Sequence, residues 1–148
     1  MAYTGRTKTP QNPSKTAVSK VKNPLPVPET CHYCGGKVVI LGNEVIYGIP
    51  YGKWPWMCLC VKCKSYVGLH PFTGIPLGTL ANKETREARK LAKDALNSIK
   101  DYLQIDRSET YQWLSEKLNL PVEETHVGWF DVLQCNRVIE IYNELKGE

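Results

Sequence analysis

The sequence has no long apolar run and little negative charge in its first two thirds. No window approaches the ~18 apolar residues that a membrane-spanning helix needs, so we expect a soluble protein. Residues 1–22 are polar and contain no apolar stretch of the kind found in a secretory signal, which favours the cytoplasm. Disulfides are rare in that compartment, so the six cysteines of the chain need another explanation.

The length and the charge distribution narrow the possibilities further. A chain of 148 residues fits one modest domain with appendages, or two very small ones, and excludes a large multidomain enzyme. Residues 1–93 carry 14 Lys and Arg against 4 Asp and Glu, whereas residues 94–148 carry 5 against 11. Two interpretations stay open, because attraction between the two halves would give the same distribution as binding of the first part to an anionic partner such as nucleic acid.

The composition divides the chain into three segments. Residues 1–29 contain five prolines, five basic residues and one acid, so we expect a disordered basic tail. Residues 30–81 have the pattern of three to four short antiparallel strands and a following loop, with residues 37–41 and 44–48 predicted to form a hairpin closed by Gly42-Asn43. Further strands are predicted at residues 54–60 and 65–67.

The last segment, residues 82–148, has helical periodicity. We expect a long helix after Asn82, a second helix after the capping box that opens at Asp106, and a third helix that begins at Asp131. The segments together predict an α+β protein in which a β module precedes a long helix and a small C-terminal helical bundle.

Four of the cysteines form two Cys-x2-Cys pairs, Cys31 with Cys34 and Cys60 with Cys63, separated by 25 residues that contain the predicted hairpin. A two-residue gap lets both thiolates of one tight turn face a single tetrahedral ion, so this spacing predicts a zinc ribbon. A β module of about 40 residues is at the lower limit of unaided folding, whereas structural zinc contributes roughly 10–16 kcal/mol of apparent binding energy. We therefore predict one structural Zn²⁺ held by these four cysteines, with no open position for catalysis.

The other two cysteines are expected to be buried. Cys58 lies on the same side of a strand as Cys60 and could compete for the ion, but only Cys60 has the two-residue gap to Cys63. We expect Cys58 to act as a small hydrophobic residue. A second metal site formed by Cys135 and His126 would lack two ligands, so core packing is the better explanation of Cys135.

Aromatic and basic residues are interleaved in the predicted ribbon, which is typical of surfaces that stack unpaired bases and contact phosphates. The candidate nucleic-acid contacts are Lys53, Trp54, Trp56, Lys62 and Lys64 in the ribbon, and Arg86, Arg89, Lys90 and Lys93 on the long helix. Simpler interpretations stay open. The two tryptophans could form the core of a thin sheet. The basic residues of the long helix could belong to a solvated face, and the lysines near the cysteines could neutralise the charge of the metal site.

The sequence around the cysteines also resembles a family of zinc-finger-containing proteins found in bacteriophages and prophages. The likeness covers about residues 31–142 and is carried by Cys60-x2-Cys63-Lys-Ser-Tyr-Val-Gly68-Leu-His70-Pro71, Pro76-Leu-Gly-Thr-Leu-Ala-Asn82, Arg86, Arg89, Tyr111-Gln-Trp113-Leu and His126-Val-Gly128-Trp-Phe130-Asp131 with Cys135. The resemblance implies a zinc finger and a phage-type origin, hence the cytoplasm of a bacterial host, and implies no reaction. The family often has a histidine where this chain has Lys93, so no role of that histidine transfers.

These patterns favour a non-catalytic zinc-binding accessory protein that binds DNA or RNA through the basic tail, the ribbon and the long helix, with no membrane or small-molecule partner. The alternative is a protein that binds and regulates a host machine of transcription or replication through the ribbon or the acidic helical region, with Trp129 and Phe130 as an aromatic anchor. These two residues could equally lock the third helix into the bundle.

A zinc-stabilised nuclease that uses His70 is a remote alternative, because His70 and Asn82 follow the second cysteine pair where a ββα unit could begin. Such an enzyme needs a general base and ligands for a divalent ion, but no second histidine and no acid lies between these two residues. The chain also contains no Gly-rich phosphate loop, Gly-x-Ser-x-Gly elbow or deaminase signature. We therefore expect no enzymatic activity.

Overall fold

The computed structural model describes residues 8–147. The chain divides into two compact units, of which the first ends at Asn82 and the second begins at Lys83. The first unit contains a three-stranded antiparallel sheet and the second contains three long helices, so the predicted α+β class is confirmed. None of the helices within residues 8–147 is long and apolar enough to cross a membrane.

The predicted disordered tail has a defined path from Lys8 onward, and its first seven residues lie outside the described part of the chain. A short helix, α1 (Lys15–Ser19), begins after Ser14, whose hydroxyl accepts a hydrogen bond from the backbone N–H of Ala17 at 3.2 Å. The N–H of Ser14 in turn donates to the carbonyl of Phe72 at 2.9 Å. This contact joins residues almost sixty positions apart, which a local composition bias could not predict.

The sheet has the order β1-β2-β3, with β1 at Val38–Gly42, β2 at Trp56–Cys60 and β3 at Tyr66–Gly68. The central strand, β2, is buried from its second residue onward. In β2, Cys58 lies opposite Val67 of β3. Because β2 is paired on both sides and buried, it fixes where the second cysteine pair begins.

The predicted hairpin across Gly42-Asn43 is wrong. Glu44–Tyr47 forms a short helix, α2, instead of a strand, and β1 pairs with β2 rather than with residues 44–48. The physical reason is the side chain of Asn43, which is buried and bonded twice to the backbone of Tyr51: its Nδ2 donates to the Tyr51 carbonyl at 2.9 Å, and its Oδ1 accepts from the Tyr51 N–H at 3.0 Å. This pair of bonds closes a longer loop where a two-residue turn was expected.

The core of the first unit is small and built largely around sulfur. Its buried apolar cluster consists of Cys31, Val38, Cys58, Cys60, Leu69 and Leu80. Three of these six residues are cysteines, which contribute little apolar area compared with leucine or phenylalanine. Partly buried Ile40, Trp54, Trp56 and Val67 pack against this cluster, so both tryptophans contribute to the core of the first unit.

The second unit consists of α3 (Lys83–Leu103), α4 (Arg107–Leu118) and α5 (Val132–Leu145). Both α4 and α5 begin with a complete capping box, formed by Asp106 with Glu109 and by Asp131 with Gln134. The apolar faces of the three helices form one core with Val127 and Phe130, and its helical members are Ala88, Ala92, Ala95, Leu96, Ile99, Leu114, Cys135, Val138 and Ile141. This unit therefore has a hydrophobic core of its own.

Candidate metal centre

The first cysteine pair lies in a tight turn before β1. The N–H of Gly35 donates to the carbonyl of Cys31 at 2.8 Å, and Gly35 has the left-handed φ of +76° that closes the turn. Two backbone N–H groups point at the sulfur atoms, that of Tyr33 at Cys31 Sγ and that of Gly36 at Cys34 Sγ, each at 3.4 Å. Donors placed in this way stabilise the thiolate form of a metal-binding cysteine.

The second pair repeats the same turn at the end of β2. The N–H of Lys64 donates to the carbonyl of Cys60 at 2.9 Å, and Lys64 has a φ of +66° at the position that corresponds to Gly35. The N–H of Cys63 donates to Cys60 Sγ at 3.4 Å, and the hydroxyl of Ser65 lies 3.2 Å from Cys63 Sγ. Lys64 thus adopts a backbone conformation that favours glycine. This conformation costs about 1–3 kcal/mol in a lysine, so the surrounding structure must hold the turn in place.

The two turns bring all four sulfur atoms within 4.8 Å of one another. Cys31 Sγ lies 3.7 Å from Cys63 Sγ, and Cys34 Sγ lies 3.5 Å from Cys60 Sγ. A Zn–S bond of about 2.3 Å in a regular tetrahedron gives an S–S separation of about 3.8 Å. The four cysteines can therefore hold one zinc ion without rearrangement of the backbone, as the sequence predicted.

The surroundings of the sulfur atoms lower the pKa of Cys60 and Cys63 and raise the pKa of Cys34. Hydrogen bonds from the hydroxyl and backbone N–H of Ser65 lower the pKa of Cys63 to about 6, and the N–H of Cys63 lowers the pKa of Cys60. The N–H of Gly36 lowers the pKa of Cys34, but desolvation and the neighbouring sulfur atoms outweigh it and raise that pKa to about 11. In the metal-free chain at neutral pH the cluster therefore holds both thiolate and thiol, and binding of zinc must expel protons.

The remaining cysteines lie outside this cluster. Cys58 is fully buried in the sheet, and burial raises its pKa to about 11. Cys135 is buried in the helical core, where desolvation also raises its pKa to about 11. His126 packs its ring 4.4 Å from that of Trp129. Within residues 8–147, the four clustered cysteines are the only group of three or more His, Cys, Asp or Glu side chains placed to share an ion.

The structure separates the candidate nucleic-acid contacts into three places. Lys53, Trp54 and Trp56 line one groove of the first unit. Lys62 and Lys64 are exposed in the turn of the second cysteine pair, where they lie next to the metal site. The four basic residues of the long helix lie on α3 in the second unit: Arg86, Arg89, Lys90 and Lys93.

Of these helix residues, Arg89 has a structural contact. Its Nε donates to the carbonyl of Phe130 at 2.9 Å, which ties α3 to the segment before α5. Lys90 and Lys93 are exposed to solvent. The basic pattern on α3 therefore combines a residue that holds the helical unit together with residues of a solvated face.

The groove, called the aromatic groove below, has a volume of about 400 Å³. Its lining includes six aromatic rings, those of Tyr47, Tyr51, Trp54, Trp56, Tyr66 and Phe72. The indole N–H of Trp54 donates to the carbonyl of Thr73 at 3.0 Å, which fixes that ring. The sequence did not predict Phe72 or Asn43 as part of this site, because Asn43 was assigned to a hairpin turn and Phe72 lies in a turn outside the predicted strands.

The other candidate residues occupy ordinary structural positions. His70 lies in a turn, where its N–H donates to the carbonyl of Ile75 at 2.8 Å and its own carbonyl accepts from Thr73 Oγ1 at 2.9 Å. Phe130 is 1% exposed and belongs to the helical core, and Trp129 is half-buried. The interpretation in which Trp129 and Phe130 lock the third helix into the bundle is the one that fits this packing.

The chain is similar to a known protein family over most of its length. A protein-family model described as a zinc-finger-containing domain matches residues 27–145, which include both cysteine pairs and the three long helices. No curated protein and no solved structure matches the chain significantly.

Proposed function

The chain belongs to this family of zinc-finger-containing domains, and we propose that it is a non-catalytic, phage-type accessory protein that binds nucleic acid through its first unit. One observation carries the proposal: a groove lined by aromatic rings lies in the unit that carries an excess of positive charge. Residues 1–82 contain nine Lys and Arg against two Asp and Glu. Rings for bases together with cations for phosphates are the requirements for binding a nucleic acid.

The zinc site supports a structural rather than a chemical role for the metal. Four cysteine sulfur atoms complete a tetrahedral shell, so no position is left for a water molecule or a substrate. The ion instead joins the turn before β1 to the end of β2, in a unit whose apolar core is small. In this proposal zinc builds the surface that binds, and the chain performs no reaction.

The experiment is a titration of zinc-loaded full-length protein into fluorescently labelled DNA and RNA at two salt concentrations. If about six phosphates are contacted, affinity for duplex DNA should fall roughly a thousandfold between 50 and 200 mM salt, because the released counterions oppose binding. Protein from which zinc has been removed with a chelator should bind much more weakly. Absence of binding at 50 mM salt, or affinity that is independent of salt, would refute the proposal.

The alternative partner, a host protein machine, receives less support from the position of its aromatic anchor. Phe130 is buried and its carbonyl accepts the hydrogen bond from Arg89, so it is not available as an exposed anchor. A host partner would be identified by co-purification that survives nuclease treatment of the lysate. For the remote nuclease alternative, plasmid incubated with Mg²⁺ or Mn²⁺ should stay uncleaved by both the natural chain and a His70→Ala variant.

A further inference from the structure

We infer that the aromatic groove receives unpaired bases, so that the preferred ligand is single-stranded nucleic acid; this inference rests on the proposed function and names its substrate class. The rings lie in two groups. Tyr47 lies 5.3 Å from Tyr51 and 6.4 Å from Tyr66 between ring centroids, and Trp54 lies 6.4 Å from Trp56 and 5.1 Å from Phe72. Both groups line the same groove, whose volume is about 400 Å³.

Three of the rings are open to solvent. Tyr51 is 68% exposed, Tyr47 is 47% exposed and Phe72 is 43% exposed. Large aromatic side chains normally bury most of their area, and a set of exposed rings around one groove marks a binding surface. Ring surface that is not used for folding is available for stacking on a ligand.

The groove is also held in shape before any ligand binds. The two hydrogen bonds of Asn43 to the backbone of Tyr51 fix the loop that carries the tyrosines. The indole N–H of Trp54 is bonded to the carbonyl of Thr73, which fixes the ring beside Phe72. A preformed site loses less conformational entropy on binding, so stacking energy is retained as affinity.

The chemistry of the lining favours bases over a proline-rich peptide, the other common ligand of an aromatic groove. The first unit is strongly basic and exposed Lys53 lies in the lining itself, so an anionic chain is attracted where an uncharged peptide is not. Aromatic rings contact the faces of bases, whereas the faces of paired bases are covered by their neighbours in a duplex. The groove should therefore select single strands over duplexes.

The test compares a single-stranded oligonucleotide with an abasic strand of the same length and phosphate number, and with the duplex formed by the same oligonucleotide and its complement. Zinc-loaded full-length protein is titrated with each at about 50 mM salt, with binding followed by fluorescence anisotropy and by quenching of tryptophan. Each stacked base contributes ~1–3 kcal/mol, so the strand with bases should bind about 5- to 150-fold more tightly than the abasic strand for every base engaged.

The variant Tyr51→Ala should lose most of the 5- to 150-fold gain in affinity that one stacked base gives the single strand. Its affinity for the abasic strand should be unchanged. Its side chain is exposed, so the fold and the zinc stoichiometry should survive the substitution. The matched control is Tyr102→Ala, which removes an exposed tyrosine from α3 in the second unit and should change neither affinity. A Trp54→Phe variant should lose part of the quenching, because Trp56 also lines the groove, and unchanged quenching would place the ligand elsewhere.

The possible failures are distinguishable. Equal affinity for the single strand, the duplex and the abasic strand would overturn the inference and leave the proposed function in place. No binding of any of the three ligands would refute the proposed function together with the inference. Tryptophan quenching by a proline-rich peptide but by no oligonucleotide would assign the groove to a protein partner and overturn both.

Discussion

A methyl group placed at Gly36 should weaken the zinc site selectively. A Cβ at this position would lie 2.7 Å from the Cβ of Lys62 and 2.9 Å from Cys60 Sγ, both well inside ordinary contact distance. To relieve the contact, Cys60 Sγ would have to move by about 0.5 Å, more than the ±0.2 Å that a metal–ligand bond tolerates. Overpacking of this kind costs about 1–3 kcal/mol, so Gly36→Ala should lower zinc affinity about 5- to 150-fold.

The matched control for this substitution is the preceding glycine. No atom lies within 4 Å of a Cβ built at Gly35, and its φ of +76° is one that asparagine also adopts. Gly35→Asn should therefore retain zinc affinity within a few-fold. Both variants are measured by competition with a chromophoric chelator at constant pH, with circular dichroism to monitor folding. If Gly36→Ala bound zinc as tightly as the natural chain, Cys60 Sγ could not lie as close to Gly36 as the structure places it.

Three further outcomes follow from the same geometry. Cys34→Ser should abolish stoichiometric zinc, as measured by elemental analysis. Cys58→Ser should keep the ion but lose about 1–3 kcal/mol of stability, because it buries a hydroxyl in the sheet. Equal metal loss from both variants would contradict the ligand assignment. Because the pKa of Cys34 is raised to about 11 without metal, zinc must displace at least the proton of this thiol near neutral pH. The apparent zinc affinity should therefore fall about tenfold or more when the pH is lowered from 8 to 7. An affinity that does not change with pH would contradict this reasoning. Arg89→Ala should lower the stability of the helical unit by about 1 kcal/mol or more in denaturant unfolding, because Arg89 donates to the carbonyl of Phe130. Lys90→Ala is the control and should be nearly neutral, since Lys90 is exposed. Equal effects of the two substitutions would show that the hydrogen bond of Arg89 contributes nothing.

The metal site and the helices were predictable because their signals are local. The two-residue gap between Cys60 and Cys63 specifies a turn that can present two sulfur atoms to one ion, whatever the rest of the chain does. The starts of α4 and α5 were equally visible, because a capping box lies within four consecutive residues. Chemistry that acts over a few positions can be read from the sequence.

The loop between β1 and β2 was not predictable in the same way. Gly42-Asn43 is a strong turn signal, and the sequence does not show that the Asn43 side chain is bonded eight residues further on. The contribution of Phe72 to the aromatic groove, and the hydrogen bond from Ser14 to its carbonyl, also depend on contacts distant in sequence. Nucleic-acid binding by these residues stays a prediction until the titrations are made.

The overlap between the core of the first unit and the metal site has a consequence for the zinc-free protein. Because Cys31 and Cys60 belong to both the buried cluster and the metal site, removal of the ion should weaken the first unit, while the helical unit retains its own core. In the zinc-free protein, proteases should then cleave the first unit and leave the second unit intact. Digestion in the presence and absence of a chelator should reveal this as a resistant fragment beginning near Lys83. The fraction of chains that keep an intact first unit should therefore follow the fraction that is loaded with zinc.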